Sequence, residues 1–208
     1  MAAMRQVLFV QGGGAGTYDE WDGRLVDSLR RELGDGWEVR YPRMPGEDDP
    51  DPAAWSAAIR GEMTLMDDGV VVVGHSVGGT ILAGMIGDGT MGGSGPIGDA
   101  TMGGSGPIGD ATMGGSRPVG DGGTVGVGVP ERRLGGIVLI AAPFVEGPEL
   151  PPDVPVHVFH GLADETIPPG HAEAYGKAIP HAGVSLLPDR DHQLGDDLSE
   201  VARVISGW

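Results

Sequence analysis

The stretch Val70-Val-Val-Val-Gly-His-Ser-Val-Gly-Gly-Thr80 joins a run of four valines to a serine fenced by glycines. Four consecutive valines leave no polar position to face solvent, which predicts a strand buried on both faces of a parallel sheet. The residues beyond, Gly79 to Ile86, are small and apolar and suit a buried helix. Ser76 therefore stands where a strand reverses sharply into a helix. A turn that tight pushes a non-glycine residue towards positive φ, normally an unfavourable conformation. Side chains at positions 74 and 78 would collide with neighbouring backbone, so glycine is required on both sides. Strain held at a serine points to a side chain presented for use.

The pattern repeats outward from this point. Gln6–Val10 reads as a strand running into the loop Gln11-Gly-Gly-Gly14. A helix follows, with Trp21, Leu25, Leu29 and Leu33 spaced along one face, Val26 beside them, and Gly34 as its stop. Trp37–Tyr41 is a strand. Asp51-Pro52 caps and opens a helix that buries Trp55, Ile59, Met63 and Met66. Later strands are expected at Ile137–Ala141, Val156–Phe159 and Val184–Leu187, with helices near 171–179 and 198–205, the last capped by Asp196 or Asp197. Alternation of this kind predicts an α/β fold: a parallel sheet with helices on both faces.

One segment departs from it. An eleven-residue unit beginning Gly87-Asp recurs at Gly98 and Gly109 and decays from Gly120. Each copy is glycine-rich and carries one Met and one Ile or Val, too little apolar area to offset the entropy of ordering. Residues 87–130 therefore read as a flexible surface insert in a single domain spanning 1–208, hanging near the mouth of any site without forming a lid.

Bulk composition narrows the function. A net charge of −17 argues against a nucleic-acid partner and against anionic membrane surfaces. With no cysteine there is neither a disulfide framework nor a thiol nucleophile. The apolar run Val7–Val10 is too short for a signal-peptide core or a bilayer span, so a cytoplasmic protein is expected. The loop Gly12-Gly-Gly-Ala-Gly16 fails the dinucleotide pattern, because Thr17 occupies the third glycine's place, and no Gly-Lys-Ser/Thr follows to make a phosphate loop. No His-carboxylate spacing suggests a metal. Neither cofactor nor metal is expected.

Gly74-His-Ser-Val-Gly78 matches G-x-S-x-G in the strand-turn-helix setting that this motif requires. A serine hydroxyl attacks poorly at neutral pH unless a base takes its proton, and an acid must orient that base. Candidates stand in the right order: Asp164 in His160-Gly-Leu-Ala-Asp-Glu-Thr-Ile-Pro168, after one strand, and His192 in Asp189-Arg-Asp-His-Gln-Leu194, after the last. Glu165 and Asp191 are alternative acids. His75, His157, His160, His171 and His181 read as structural or surface residues, with His75 the most open to another role.

These three motifs, GHSVGG, HGLADETIP and DRDHQL, resemble the α/β-hydrolase family, and the resemblance spans the chain apart from about residues 87–130. It implies a three-layer α/β/α sandwich with a six-stranded parallel sheet in the order second, first, third, fourth, fifth, sixth. It also implies a serine hydrolase acting on small carboxylic esters, with Ser76 as nucleophile, Asp164 as acid and His192 as base. The oxyanion hole would use the amides of Val77 and Gly13, although Gln11 stands where many members have histidine. The same residues would serve a thioesterase or an acyltransferase, and a non-catalytic binding protein on this fold is a further alternative.

The connection between the fourth and fifth strands, Phe144–Asp153, is short and proline-rich, which predicts an irregular loop and no helical cap. The expected pocket is shallow and open, with Phe144 and Leu150 at its rim and a small-molecule ester as the partner. Activity should rise as His192 loses its proton, near about pH 7 for an ordinary imidazole.

Overall fold

The computed structural model describes residues 4–87, 133–146 and 149–208. The expected insert therefore lies almost wholly outside the described residues. Chain order is β1 (Arg5–Val10), α1 (Asp22–Leu33), β2 (Trp37–Arg40), α2 (Pro52–Met63), β3 (Val70–His75), α3 (Ser76–Gly87), β4 (Leu134–Ile140), β5 (Val156–Gly161), α4 (Gly170–Ala178), β6 (Gly183–Leu187) and α5 (Ser199–Ser206). Among the described residues the strands form one sheet in the order β2-β1-β3-β4-β5-β6, every pair parallel. This is the predicted α/β/α sandwich with its predicted strand order.

β3 sits between β1 and β4, and its four valines are buried. Val71 and Val73 face one apolar layer, with Leu25, Val26 and Leu29 of α1 and Val201, Ala202 and Ile205 of α5. Val70 and Val72 face the other, with Trp55, Ile59 and Met63 of α2, Ile81 and Leu82 of α3, and Ala172 and Tyr175 of α4. The unbroken valine run is thus the sequence signature of a central strand covered on both sides.

Two local expectations come out differently. Trp21 is 47% exposed instead of buried with Leu25. Residues Thr17–Trp21 form one wide π-helical turn before α1, and that turn breaks the four-residue phase that would align Trp21 with the helix face. Leu150, expected at a pocket rim, is buried in the core beside Val154 and Val156, where the loop folds back under the sheet. Asp51 does cap α2, its carboxylate accepting from the amides of Ala53 and Ala54. At α5 the carboxylate of Asp197 accepts from the amide of Ser199.

α3 starts at the C-terminal end of β3 and runs back along the sheet. Val70 pairs with Leu134 where β3 and β4 begin, and the amide of Gly69 donates to the carbonyl of Arg133. The chain therefore leaves at Gly87 and returns at Arg133 on the edge away from Ser76. The insert between them, and with it the expectation that it hangs near the mouth of the site, lies outside the described residues. Between Ile140 and Val156 no helix is found among the described residues. None of the described helices in the chain is long and apolar enough to cross a membrane.

Candidate active site

Ser76 has φ 51°, the positive value that the sequence predicted. A Cβ on Gly74 would lie 2.5 Å from the Cα of Gly79, and one on Gly78 would overlap the carbonyl oxygen of Gln11. The turn closes only with glycine at both positions, and the closure brings the Gln11–Gly14 loop against the start of α3.

Three loops at the C-terminal ends of β3, β5 and β6 bring Ser76, Asp164 and His192 together. Ser76 Oγ lies 3.1 Å from His192 Nε2, and His192 Nδ1 lies 2.8 Å from Asp164 Oδ2. The acid must accept the Nδ1 proton, which leaves the lone pair on Nε2 to accept from the serine hydroxyl. Asp164 Oδ1 accepts from the amides of Thr166 and Ile167, both at 2.8 Å. Burial on its own would raise the Asp164 carboxyl, but the Ile167 amide, the His192 ring and the Thr166 amide outweigh it and hold the group below the ordinary carboxylate value. The other candidate acids lie elsewhere. Asp191 accepts from the amides of Gln193 and Gly195 in its own turn, and Glu165 is exposed at the edge of a cavity.

His192 is pushed below the ordinary imidazole value, first by burial and then by the charge of His75, with Asp164 pulling the other way. A neutral imidazole with a free Nε2 lone pair is the form able to accept a proton.

Around the glycine loop, the Gly12 amide donates to Asp22 Oδ2 at 2.7 Å and the Gly14 amide to the Glu47 carbonyl at 2.6 Å. Among the described residues the Gly13 amide has no protein acceptor. A Cβ on Gly13 would come within 2.9 Å of the Val77 side chain, so this loop packs directly against the first turn of α3. Amides in a first helical turn lack intrahelical acceptors, which makes this cleft suited to negative charge. Buried Gln11 links its surroundings through both ends of its amide: Nε2 donates to Glu47 Oε2 and Oε1 accepts from the Met44 amide, each at 2.9 Å.

Two histidines read from the sequence as structural turn out to touch the site. His75 is buried behind Ser76, with Nδ1 facing both Asp22 oxygens at 2.9 and 3.0 Å and Nε2 3.1 Å from the His192 carbonyl oxygen. His160, fully buried, places Nε2 2.8 Å from the Ile167 carbonyl oxygen and 3.2 Å from Asp164 Oδ2. Adjacency to Ser76 was the only signal for the first; His160 and Asp22 carried none.

A cavity of about 520 Å³ opens beside His192, lined by Trp21, Ala163, Glu165, Thr166, Asp191 and Gln193. Phe144 is not part of it. Its amide donates to His171 Nδ1 and its ring meets Tyr175 edge-on. Among the described residues no group of three His, Asp or Glu side chains is placed to hold a metal ion.

No protein-family profile matches the sequence, and no curated protein matches it in sequence. Its fold is widely shared among solved structures. It is similar to the ydeN gene product from B. subtilis, at 16% identity and a TM-score of 0.63, covering 98% of this chain and 97% of that one. It is similar to the esterase domain of a Rhodothermus marinus protein, at 16% identity and a TM-score of 0.61 over 100% and 87%. A third likeness is to XC6422 from Xanthomonas campestris, described as an α/β serine hydrolase without lid, at 12% identity and a TM-score of 0.59 over 100% and 81%. The parallel sheet, its strand order and these neighbours agree: this chain has the α/β-hydrolase fold.

Proposed function

We propose that this protein is a serine hydrolase that cleaves small carboxylic esters through an acyl-enzyme. The observation that carries the reading is the unbroken chain of contacts from Ser76 Oγ through the His192 ring to Asp164. Ser76 Oγ attacks the ester carbonyl carbon while its proton passes to His192 Nε2. Asp164 keeps the ring in the useful tautomer and balances the imidazolium. The oxyanion is held by the amides of Val77 and Gly13, each such donor contributing about 3 kcal/mol to the transition state. Collapse breaks the bond to the alcohol oxygen, which leaves with the proton from His192. Water then attacks the acyl-enzyme, gives a proton to His192, and the carboxylic acid departs as that proton returns to Ser76.

The cavity beside His192 suits the alcohol portion, with the exposed indole of Trp21 as its apolar wall. A fluorophosphonate probe tests the reading. One adduct on Ser76, together with turnover of p-nitrophenyl acetate that Ser76→Ala abolishes, is the expected result. Folded protein that neither labels at Ser76 nor turns over short-chain esters would favour a binding role on this fold.

A further inference from the structure

Asp22 is the first residue of α1 and is completely buried. A carboxylate withdrawn from water needs partners, and a helix N-terminus supplies only part of the compensation. Its remaining partners are the amide of Gly12 in the glycine loop and the ring of His75 on the nucleophile strand. His75 in turn reaches the main chain of His192. Three segments that build the site are therefore joined through two side chains to which the ester chemistry assigns no proton transfer.

The hydrogen-bond partners decide the state of the His75 ring. A carbonyl oxygen can only accept, so the His75 nitrogen facing the His192 carbonyl must carry a proton. With Asp22 ionised, the other nitrogen faces a carboxylate and carries one too. Both ring nitrogens donate, and the ring is a cation. The charged or titratable groups around it are Asp22 from α1, Asp164 from the loop after β5, and the His192 ring, whose centroid is 4.9 Å away. Two carboxylates and one neutral imidazole make a setting in which a buried cation is tolerated. The same balance has a sign: burial would lower His75, but Asp22, the His192 carbonyl and Asp164 together outweigh it and the group stands above its ordinary value.

We propose that Asp22 and His75 form a buried carboxylate–imidazolium pair that positions the His192 loop and the glycine loop, and that keeps His192 unprotonated for its task as base. They are positioning residues, and the proposal rests on the hydrolase reading above. Anchoring Gly12 sets the peptide just before the Gly13 amide. Holding the His192 carbonyl fixes the backbone from which the base projects. A cation beside the His192 ring opposes a second cation there in the resting enzyme.

The test uses full-length protein with 15N-labelled histidine. At pH 8 the wild-type His75 ring is expected to show two protonated nitrogens, while His192 shows one. In Asp22→Asn the side-chain amide can donate to His75 Nδ1 and its oxygen can still accept from Gly12, so the contacts persist with a neutral ring and only the charges go. The His192 titration should then move to higher pH, with the acid limb of kcat moving alongside it and KM changing less than about twofold. His75→Gln cannot reach both partners, and kcat should fall by about 10²-fold through misplacement, again with KM nearly unchanged. A neutral His75 in the wild type, or a His192 titration unmoved in both variants, overturns the proposal. If circular dichroism shows either variant unfolded, the wild-type ring states decide it. Absence of labelling and turnover in the wild type would sink the hydrolase reading alone, since the ring spectra report on the pair without any substrate.

Discussion

His192 and Asp164 meet at 2.8 Å through Nδ1 and Oδ2, and the second oxygen of that carboxylate is fully used by two backbone amides. The acid is thus held by its own loop independently of its contact with the histidine. Asp164→Asn should preserve the amide contacts, because an amide oxygen still accepts, while its NH₂ group forces His192 to present an N–H to Ser76. On the proposed mechanism kcat for p-nitrophenyl acetate falls by about 10⁴-fold. Thermal unfolding run in parallel checks that the fold survives. Wild-type kcat in the variant would remove Asp164 from the reaction.

The pH profile follows from burial. The active form of His192 is neutral, and both burial and His75 lower its ionisation. The acid limb of kcat/KM should therefore lie below about 6.5, the value of an unperturbed imidazole, instead of near pH 7. Stability moves the same way. A histidine lowered in the folded state contributes fully above its unfolded value, and that contribution is lost as pH falls through the folded one. Asp164, also lowered, adds a second loss in more acidic solution. His75, raised in the fold, acts oppositely and contributes in full only below its unfolded value, so denaturant midpoints should fall steadily from about pH 6 down to about pH 3; a rise in that window would contradict both assignments.

Gly78 offers a test of the turn itself. Any side chain there meets the Gln11 carbonyl, a backbone atom that cannot step aside. Gly78→Ala should cost at least about 3 kcal/mol, seen as a large drop in Tm or as insoluble protein. A variant as stable as the parent would mean that the glycine loop is more compliant than its packing implies.

Trp21→Ala probes the cavity. Losing an aromatic wall should raise KM for aryl esters by up to about tenfold, with little change for methyl esters. Stability should hardly move, because the ring is half exposed.

Asp51→Ala tests the cap of α2, one residue beyond the Pro50 ring that packs against Gly13. Removing the cap of α2 should cost about 1 kcal/mol, or about 2–4 °C in Tm, and leave kcat unchanged. Differential scanning calorimetry and ester turnover on one preparation give both numbers.

The sheet was legible because its signals are local. Four valines announce a doubly covered strand, Asp51-Pro52 announces a helix start, and G-x-S-x-G with two later loops announces the meeting point of β3, β5 and β6. What escaped depends on distance or on irregular backbone. Asp22 looks like any acid at a helix start, and its histidine partner lies 53 positions along the chain. Trp21 fell out of register because a π turn intervenes, which no apolar spacing reveals. Leu150 sits among prolines that read as surface loop, yet that loop turns inward to complete the core under β5.

The exit of the chain at Gly87 and its return at Arg133 have a corollary for chain length. A segment that enters and leaves at that edge can lengthen without disturbing Ser76 or a strand pairing of the described residues, and each doubling of a flexible connection costs in general only about 0.6 kcal/mol in closure entropy. Gain or loss of one eleven-residue copy is therefore expected to leave the positions of Ser76, Asp164 and His192 unchanged.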